Sequence, residues 1–344
     1  MIQRIPAKVE AQDPDNAEVT WQRLLADSIT RPETLLERLG LDPLHWLDGA
    51  REGHALFPVR VPAPYLDRIR HGDPQDPLLR QVLPLHDEAV TAPGFVSDPL
   101  AEEAATAIPG LIRKYRSRAL LMVTGQCAIN CRYCFRRHFP YDEHRLSPQQ
   151  RAQVIDSLQA SPDINEVILS GGDPLVASDR LLSAWSEALK AVPHIRRLRI
   201  HTRLPVVIPQ RVDDKLLAWL EQSPLQKVLV LHINHPNEID QSVRNALTRL
   251  RSAGVTLLNQ SVILRGVNDD AGTLAQLSEG LFEAGVLPYY LHAFDPVAGA
   301  HHFDVDDDRA RALVRELLTR LPGFLVPRLV REIPGETSKT PLFL

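Results

Sequence analysis

From Arg118 onward, short apolar runs alternate with longer amphipathic stretches. The runs lie at 119–123, 166–169, 198–201, 228–233, 256–264 and 289–293. Runs this short and this rich in Val, Leu and Ile suit buried strands better than helices. Between them, 148–158, 179–191, 213–222, 238–253, 271–284 and 307–321 carry helical patterns, and several open on Ser, Asp or Pro and end near Gly or Pro. Six strand and helix units in series predict an α/β fold with a parallel sheet, because parallel neighbours need a crossover between them. Whether such a sheet stays open or curls into a barrel, ligands gather at the carboxyl ends of its strands. A last apolar run at 324–330 leads into a terminal segment that carries Lys339. Residues 1–105 are rich in Pro, Asp and Arg, with helical stretches at 21–39 and 64–70 and no strand alternation, so they read as a helical region ahead of a unit spanning 106–344.

Composition narrows the function. The chain has 344 residues, 44% hydrophobic and 24% charged, enough to bury a sizeable core in one large domain or two. Its 39 Lys and Arg against 43 Asp and Glu are mixed along the chain, which disfavours nucleic acid as the main ligand. No apolar run approaches the roughly 20 residues of a membrane span, and the start has neither a signal core nor a transit pattern, so a cytoplasmic protein is expected. All three cysteines, Cys127, Cys131 and Cys134, fall within eight residues, and an odd, clustered set is not a disulfide framework.

The cysteines occupy the string CAINCRYCFRRH, just after the first predicted strand. Thiolates at this CxxxCxxC spacing can hold three irons of a [4Fe–4S] cluster and leave the fourth open to the amino and carboxylate groups of S-adenosylmethionine. The competing reading is a Cys3His zinc site completed by His138, as in a zinc-stabilised binding protein. The second predicted strand ends in ILSGGDPL, where Gly171 and Gly172 allow close backbone approach to a ligand and Asp173 offers a carboxylate or a cap for the next turn. By composition alone Lys339 would be a solvated lysine.

The strings LLMVTGQCAINCRYCFRRHF, VILSGGDPL, HTRLPVVIPQR, HINHPNEI, LLNQSVILRGVND, PYYLHAFDPVAGAHHF and PGETSK, in this order, resemble the lysine 2,3-aminomutase family of the radical S-adenosylmethionine superfamily over most of residues 100–344. The resemblance implies a partial (β/α)6 barrel and three cofactors: a [4Fe–4S] cluster, S-adenosylmethionine and pyridoxal 5'-phosphate. It implies that Lys339 forms the Schiff base, that Arg118 binds the phosphate with Lys114 in the place of a second basic residue, and that Arg136 clamps the substrate carboxylate. The other reading of Arg136 is electrostatic support of the cluster loop, for which Arg132 and Arg137 are also candidates. Gly171, Gly172, Asp173, His232 and Gln260 match positions around S-adenosylmethionine, although a histidine or glutamine inside a barrel is as often structural. Asp295 and Glu332 match the acids that hold the far ammonium of lysine, with Glu332 standing where the family normally has Asp. The alternative is an aminomutase acting on another amino acid such as glutamate or arginine; the two acids weigh against glutamate, whose second carboxylate they would repel.

The family's long catabolic members continue into a tail with zinc-binding cysteines that helps join subunits, and no such tail is present here. CRYCFRRHFPY and REIPGETSKTPL resemble the short EpmB/YjeK branch, which implies isomerisation of L-lysine to (R)-β-lysine for attachment to a lysine of translation elongation factor P. The expected partners are therefore L-lysine, a reduced donor protein of flavodoxin or ferredoxin type, elongation factor P with its ligase, and a second copy of the chain if it forms a homo-oligomer.

Overall fold

A computed structural model describes residues 19–344 apart from Arg145. Ten strands form one sheet in chain order: β1 (Thr106–Ile108), β2 (Leu111–Tyr115), β3 (Arg118–Thr124), β4 (Glu166–Gly171), β5 (Arg197–Thr202), β6 (Gln226–His232), β7 (Thr256–Val262), β8 (Leu287–His292), β9 (Arg328–Arg331) and β10 (Thr340–Pro341). Strands β3 to β9 run parallel. The hairpin of β1 and β2 covers one edge and β10 the other, both antiparallel. The six expected strands are β3 to β8. The apolar run at 324–330 adds a seventh parallel strand, which starts only at Arg328 because Pro327 has no N–H for the ladder. Phe324, at the head of that run, is exposed.

The helices after each parallel strand follow the predicted pattern: α6 (Pro148–Gln159), α7 (Asp179–Lys190), α9 (Asp214–Gln222), α10 (Gln241–Ser252), α11 (Ala271–Glu283) and α12 (Asp307–Arg320), with a single turn α8 (Leu204–Val207) after β5. Ser147, Ser178, Asp213, Asp240, Asp270 and Asp306 cap them, each side chain accepting a backbone N–H of the first turn. The stretch expected from 238 becomes α10 only at Gln241, since Asp240 is the cap and Pro236–Glu238 is a separate 3-10 turn. Before the sheet come five short helices, α1 (Trp21–Ala26), α2 (Pro32–Arg38), α3 (Pro43–Leu56), α4 (Ala63–Leu66) and α5 (Pro77–Arg80). The helical stretch at 21–39 is broken in two because Arg31, ahead of Pro32, is held extended. No helix among the described residues is long and apolar enough to cross a membrane.

Strand alternation splits the sheet into two faces. On β5, Leu198, Ile200 and Thr202 are buried while Arg199 and His201 turn the other way. The outward leucines pack on Leu182 and Trp185 of α7, Leu216 of α9 and Leu247 of α10, and Trp21, Leu35, Leu78 and Leu79 of the N-terminal helices join the same core. Each such side chain contributes about 1.5–3 kcal/mol by leaving water. The opposite face lines a cavity.

Arg203, just after β5, ties the pieces together. It is buried and donates to the Tyr65 hydroxyl at 3.2 Å, to Gln81 Oε1 at 2.7 Å and to Glu238 Oε2 at 2.8 Å. Replacing Glu238 with Ala strands this guanidinium without its carboxylate, and a broken buried pair costs about 3–5 kcal/mol. Chemical denaturation of the variant should show a loss of that size, and a loss below about 1 kcal/mol, the worth of a single ordinary hydrogen bond, would mean the hub is dispensable.

Candidate active site

A cavity of about 530 Å³ lies within the curve of the sheet. The three cysteines, Arg118, Lys114, Arg136, His232, Gln260, Asp295, Glu332 and Lys339 all line it. Gly171, Gly172 and Asp173 line it as well, so the residues expected to hold the cluster, the cofactors and the substrate reach one chamber, whereas His138 and Arg132 do not line it.

The cysteine loop leaves β3 and is held from two sides. Gly172 and Asp173 donate backbone N–H groups to the carbonyls of Thr124 and Gln126, both at 2.8 Å. On the other side Asn130 donates to the Arg60 carbonyl at 3.2 Å and Arg132 to the Gln81 carbonyl at 3.0 Å. The paired glycines are needed for this contact: a Cβ on Gly171, whose φ is +134°, would lie 2.2 Å from the Thr124 oxygen, and one on Gly172 would lie 2.4 Å from that of Gln126. Their close approach is therefore to the loop's own backbone. Asp173 caps the turn that follows, Pro174–Val176. Its carboxylate accepts from Leu175 N at 3.0 Å, the Thr202 hydroxyl at 2.6 Å and Arg203 N at 2.7 Å, so its side chain is committed to the fold.

Burial pushes the Cys127 thiol up and that of Cys134 to about 11, and the neighbouring cysteines add to both rises. Arg203 donates to Cys131 Sγ at 2.9 Å. Thiols this close resist ionisation one by one, and a cation shared among them would relieve that. His138 does not complete a zinc set, because its Nε2 sits 3.1 Å from the Ala298 carbonyl. Among the described residues no three His, Cys, Asp or Glu side chains are arranged around a single ion. A lone zinc needs that convergence, whereas a cubane binds its thiolates through three separate irons.

Deeper in the cavity, Gln260 Nε2 lies 2.8 Å from His232 Nε2, and burial drives His232 down to about 3, so the imidazole is neutral. His201 and His292 are also neutral by burial, and their Nε2 atoms are buried without a partner. Neither was singled out from the sequence; the signal was present in their position on the inward-facing alternation of β5 and β8. Arg118 stacks on the Tyr115 ring at 4.2 Å and has no carboxylate partner among the described residues.

A file of alternating charges crosses the site. Arg136 donates from Nε and Nη2 to both oxygens of buried Glu102, at 2.6 and 2.9 Å. Lys114 lies 2.9 Å from Glu102 Oε1 and 2.7 Å from Glu332 Oε1, and Glu332 pairs in turn with Lys339. Lys114 is thus a bridge between two carboxylates and no spare phosphate cation. Glu102, absent from the sequence reading, fills one edge of the Arg136 fork. The residue before it, Ala101, has φ +49°, a left-handed conformation that costs a non-glycine residue about 1–2 kcal/mol. Burial raises the Glu332 carboxyl, but Lys339 and Lys114 outweigh it and hold the group well below the usual range. Asp295 is the opposite case: burial, then the charge of Glu332, pushes it up to about 7, and its Oδ1 is buried without a partner.

The Radical SAM superfamily pattern matches residues 121–277. The chain is 54% identical over 324 residues to the L-lysine 2,3-aminomutase of Escherichia coli (strain K12), covering 94% of each, and 50% identical to that of Haemophilus influenzae over 323 residues, 94% of this chain and 95% of the other. It is 37% identical to the Clostridium subterminale enzyme of the same name over 280 residues, 81% of this chain and 67% of that one. The chain belongs to the lysine 2,3-aminomutase family. That membership makes it an isomerase of the radical S-adenosylmethionine superfamily, which implies a [4Fe–4S] cluster and S-adenosylmethionine. The cysteine loop fits the cluster, and what the Gly171–Gly172 segment has left to offer a ligand is backbone.

In this aminomutase, Gly171→Ala should push β3's exit away from β4 and displace the thiols. Its iron and sulfide content after anaerobic reconstitution should fall to less than half of the parent's, and full content would show that the loop can shift without loss.

Proposed function

We propose that the chain converts L-lysine to (R)-β-lysine, with the cluster on Cys127, Cys131 and Cys134, S-adenosylmethionine on the open iron, pyridoxal 5'-phosphate on Lys339, and an electron from a reduced flavodoxin- or ferredoxin-type protein. One observation carries the reading: a single cavity holds the three thiols, a lysine amine, a guanidinium without a carboxylate partner and an acid without a cation. When bound, the cluster and S-adenosylmethionine supply an adenosyl radical and pyridoxal phosphate supplies the conjugated imine across which nitrogen migrates.

The chain's own residues then have definable tasks. Lys339 presents its amine to the cavity beside Glu332 and about 6.0 Å from the Tyr290 ring centre. Arg118, with no carboxylate partner among the described residues, suits a phosphate dianion. Glu102 takes the Nε edge of Arg136, and Nη1 donates to the Ser170 hydroxyl at 2.9 Å and the Gly171 carbonyl at 3.4 Å, so an incoming carboxylate would take over these Nη1 contacts on the cavity side of the guanidinium. Asp295 and Glu332 offer negative charge to the far ammonium and would repel a second carboxylate such as that of glutamate.

One further reading, that the protein works in the cytoplasm, rests on the sequence pattern alone, and another, that the product passes to a lysine of elongation factor P by way of its ligase, rests on the short-branch motifs. If so, deleting the gene should remove the corresponding mass increment from elongation factor P.

Formation of β-lysine by the anaerobically reconstituted protein tests the central reading, and a protein that holds all three cofactors yet prefers glutamate would overturn it. Borohydride reduction followed by peptide mapping should place the pyridoxyl label on Lys339, and a label on Lys190, Lys215 or Lys227 would contradict the assignment.

The pH dependence follows from Asp295. Below about 7 its carboxyl is protonated, and an arriving ammonium must expel that proton. Lysine affinity should therefore weaken by up to about tenfold per unit as pH falls below 7, and level off above it. Asp295→Asn should flatten that limb and raise KM at neutral pH; an unchanged profile would remove Asp295 from the ammonium site.

A further inference from the structure

Glu102 and Lys114 link the guanidinium assigned to the substrate carboxylate to Glu332, one of the two acids assigned to its ammonium, through successive ion pairs. We propose that Glu102 is a positioning residue that sets the span between the two ends of the substrate site, and so selects the length of diamino acid the enzyme accepts. This rests on the function proposed above.

The geometry supports it step by step. Glu102 is buried, with its side chain only 3% exposed, and it takes Arg136 with both oxygens. That grip fixes the plane of the guanidinium and directs Nη1 toward Ser170 at the cavity wall. Oε1 also holds Lys114, whose ammonium reaches 2.7 Å to Glu332. Arg136 therefore cannot shift along the cavity without pulling Lys114, and Lys114 cannot shift without pulling Glu332. Glu102 itself is anchored in the chain: its N–H donates to Asp98 Oδ1 at 3.1 Å, its carbonyl accepts the Thr106 hydroxyl at 2.9 Å, and the left-handed Ala101 turns it inward. Burial raises the Glu102 carboxyl, but Arg136 and Lys114 outweigh it and hold the group ionised below the usual range. Without its charge, two cations would face each other across a neutral amide, and each would be free to settle elsewhere.

Glu102→Gln is the direct test, read in the loaded protein by the absorbance change of the pyridoxal group as amino acid is added, without turnover. Lysine and ornithine, which is one methylene shorter, are titrated in parallel, with iron content and melting temperature recorded for each variant. The parent should prefer lysine. In Glu102→Gln, lysine affinity should fall at least about tenfold, the effect of one charge-assisted contact, while ornithine changes less, so the preference narrows. Glu102→Asp keeps the charge on a shorter arm and should recover most of the lysine affinity. If Glu102→Gln does not fold, Glu102→Asp carries the test through a lysine-to-ornithine ratio shifted at least about threefold by the missing methylene. Unchanged affinity and ratio in the variants would overturn the proposal, as would tighter lysine binding in Glu102→Gln, which would make Glu102 an occupant that the substrate displaces. A parent protein that neither responds to lysine nor forms β-lysine would overturn the function reading and the proposal together.

Discussion

A sheet whose first and last strands share no hydrogen bonds needs another constraint to hold its curvature, and here that constraint is the Lys114 bridge. Lys114, on β2, and Glu332, directly after β9, are 218 residues apart in the chain yet hydrogen-bonded at 2.7 Å. Each charge in the file from Arg136 to Lys339 is flanked by its opposite, so desolvation is offset pair by pair. Buried pairs of this kind add little net stability, because the cost of leaving water consumes most of the Coulomb gain. What they impose is geometry, since any slip leaves an uncompensated charge in a low-dielectric interior. The opening of the sheet is thus set by electrostatics at the mouth and by apolar packing at the back.

The same division explains how one sheet can carry a working site. Its outward face is closed by leucines and valines against α7, α9 and α10, which bear the burden of stability. Relieved of that task, the inward face can hold Arg199, His201, His232, Gln260 and His292 at alternate positions. Imidazoles in this setting are neutral because burial and nearby cations both oppose protonation. Asp295 is raised by the same burial, which makes it the residue in the chamber most able to gain from an arriving cation.

Much of this was legible in the chain because strands and helices announce themselves locally. Six strands, their helices and the gathering of motifs at strand ends follow from short-range pattern and resemblance. The breaks came where one residue overrode a pattern: Pro327 delayed β9, Pro32 split the first helical stretch, and Asp240 capped α10 late. Glu102 was invisible for a different reason. Its partners Arg136 and Lys114 lie 34 and 12 positions away, and nothing in AEEAAT separates a buried acid from its solvated neighbour Glu103. That Lys114 pairs with two carboxylates was equally hidden, because those acids come from distant parts of the chain. The glycine pair was read as an approach to a ligand, when the neighbour at 2.2 Å is the carbonyl of Thr124.

The two ends of the chamber are organised unequally, and the inequality fits their proposed tasks. The thiol loop is stitched by backbone bonds from β4's end and from the N-terminal helices, so its shape is set before any iron arrives. A cluster must keep one iron open at a defined place, and preorganisation of the ligands serves that need. Lys339 is held more lightly: residues 333–338 ahead of it are exposed, β10 is two residues long, and its ammonium rests on Glu332. On the proposed function this lighter hold would let Lys339 leave Glu332 when the cofactor binds, while Lys114 keeps that carboxylate paired in the low-dielectric interior.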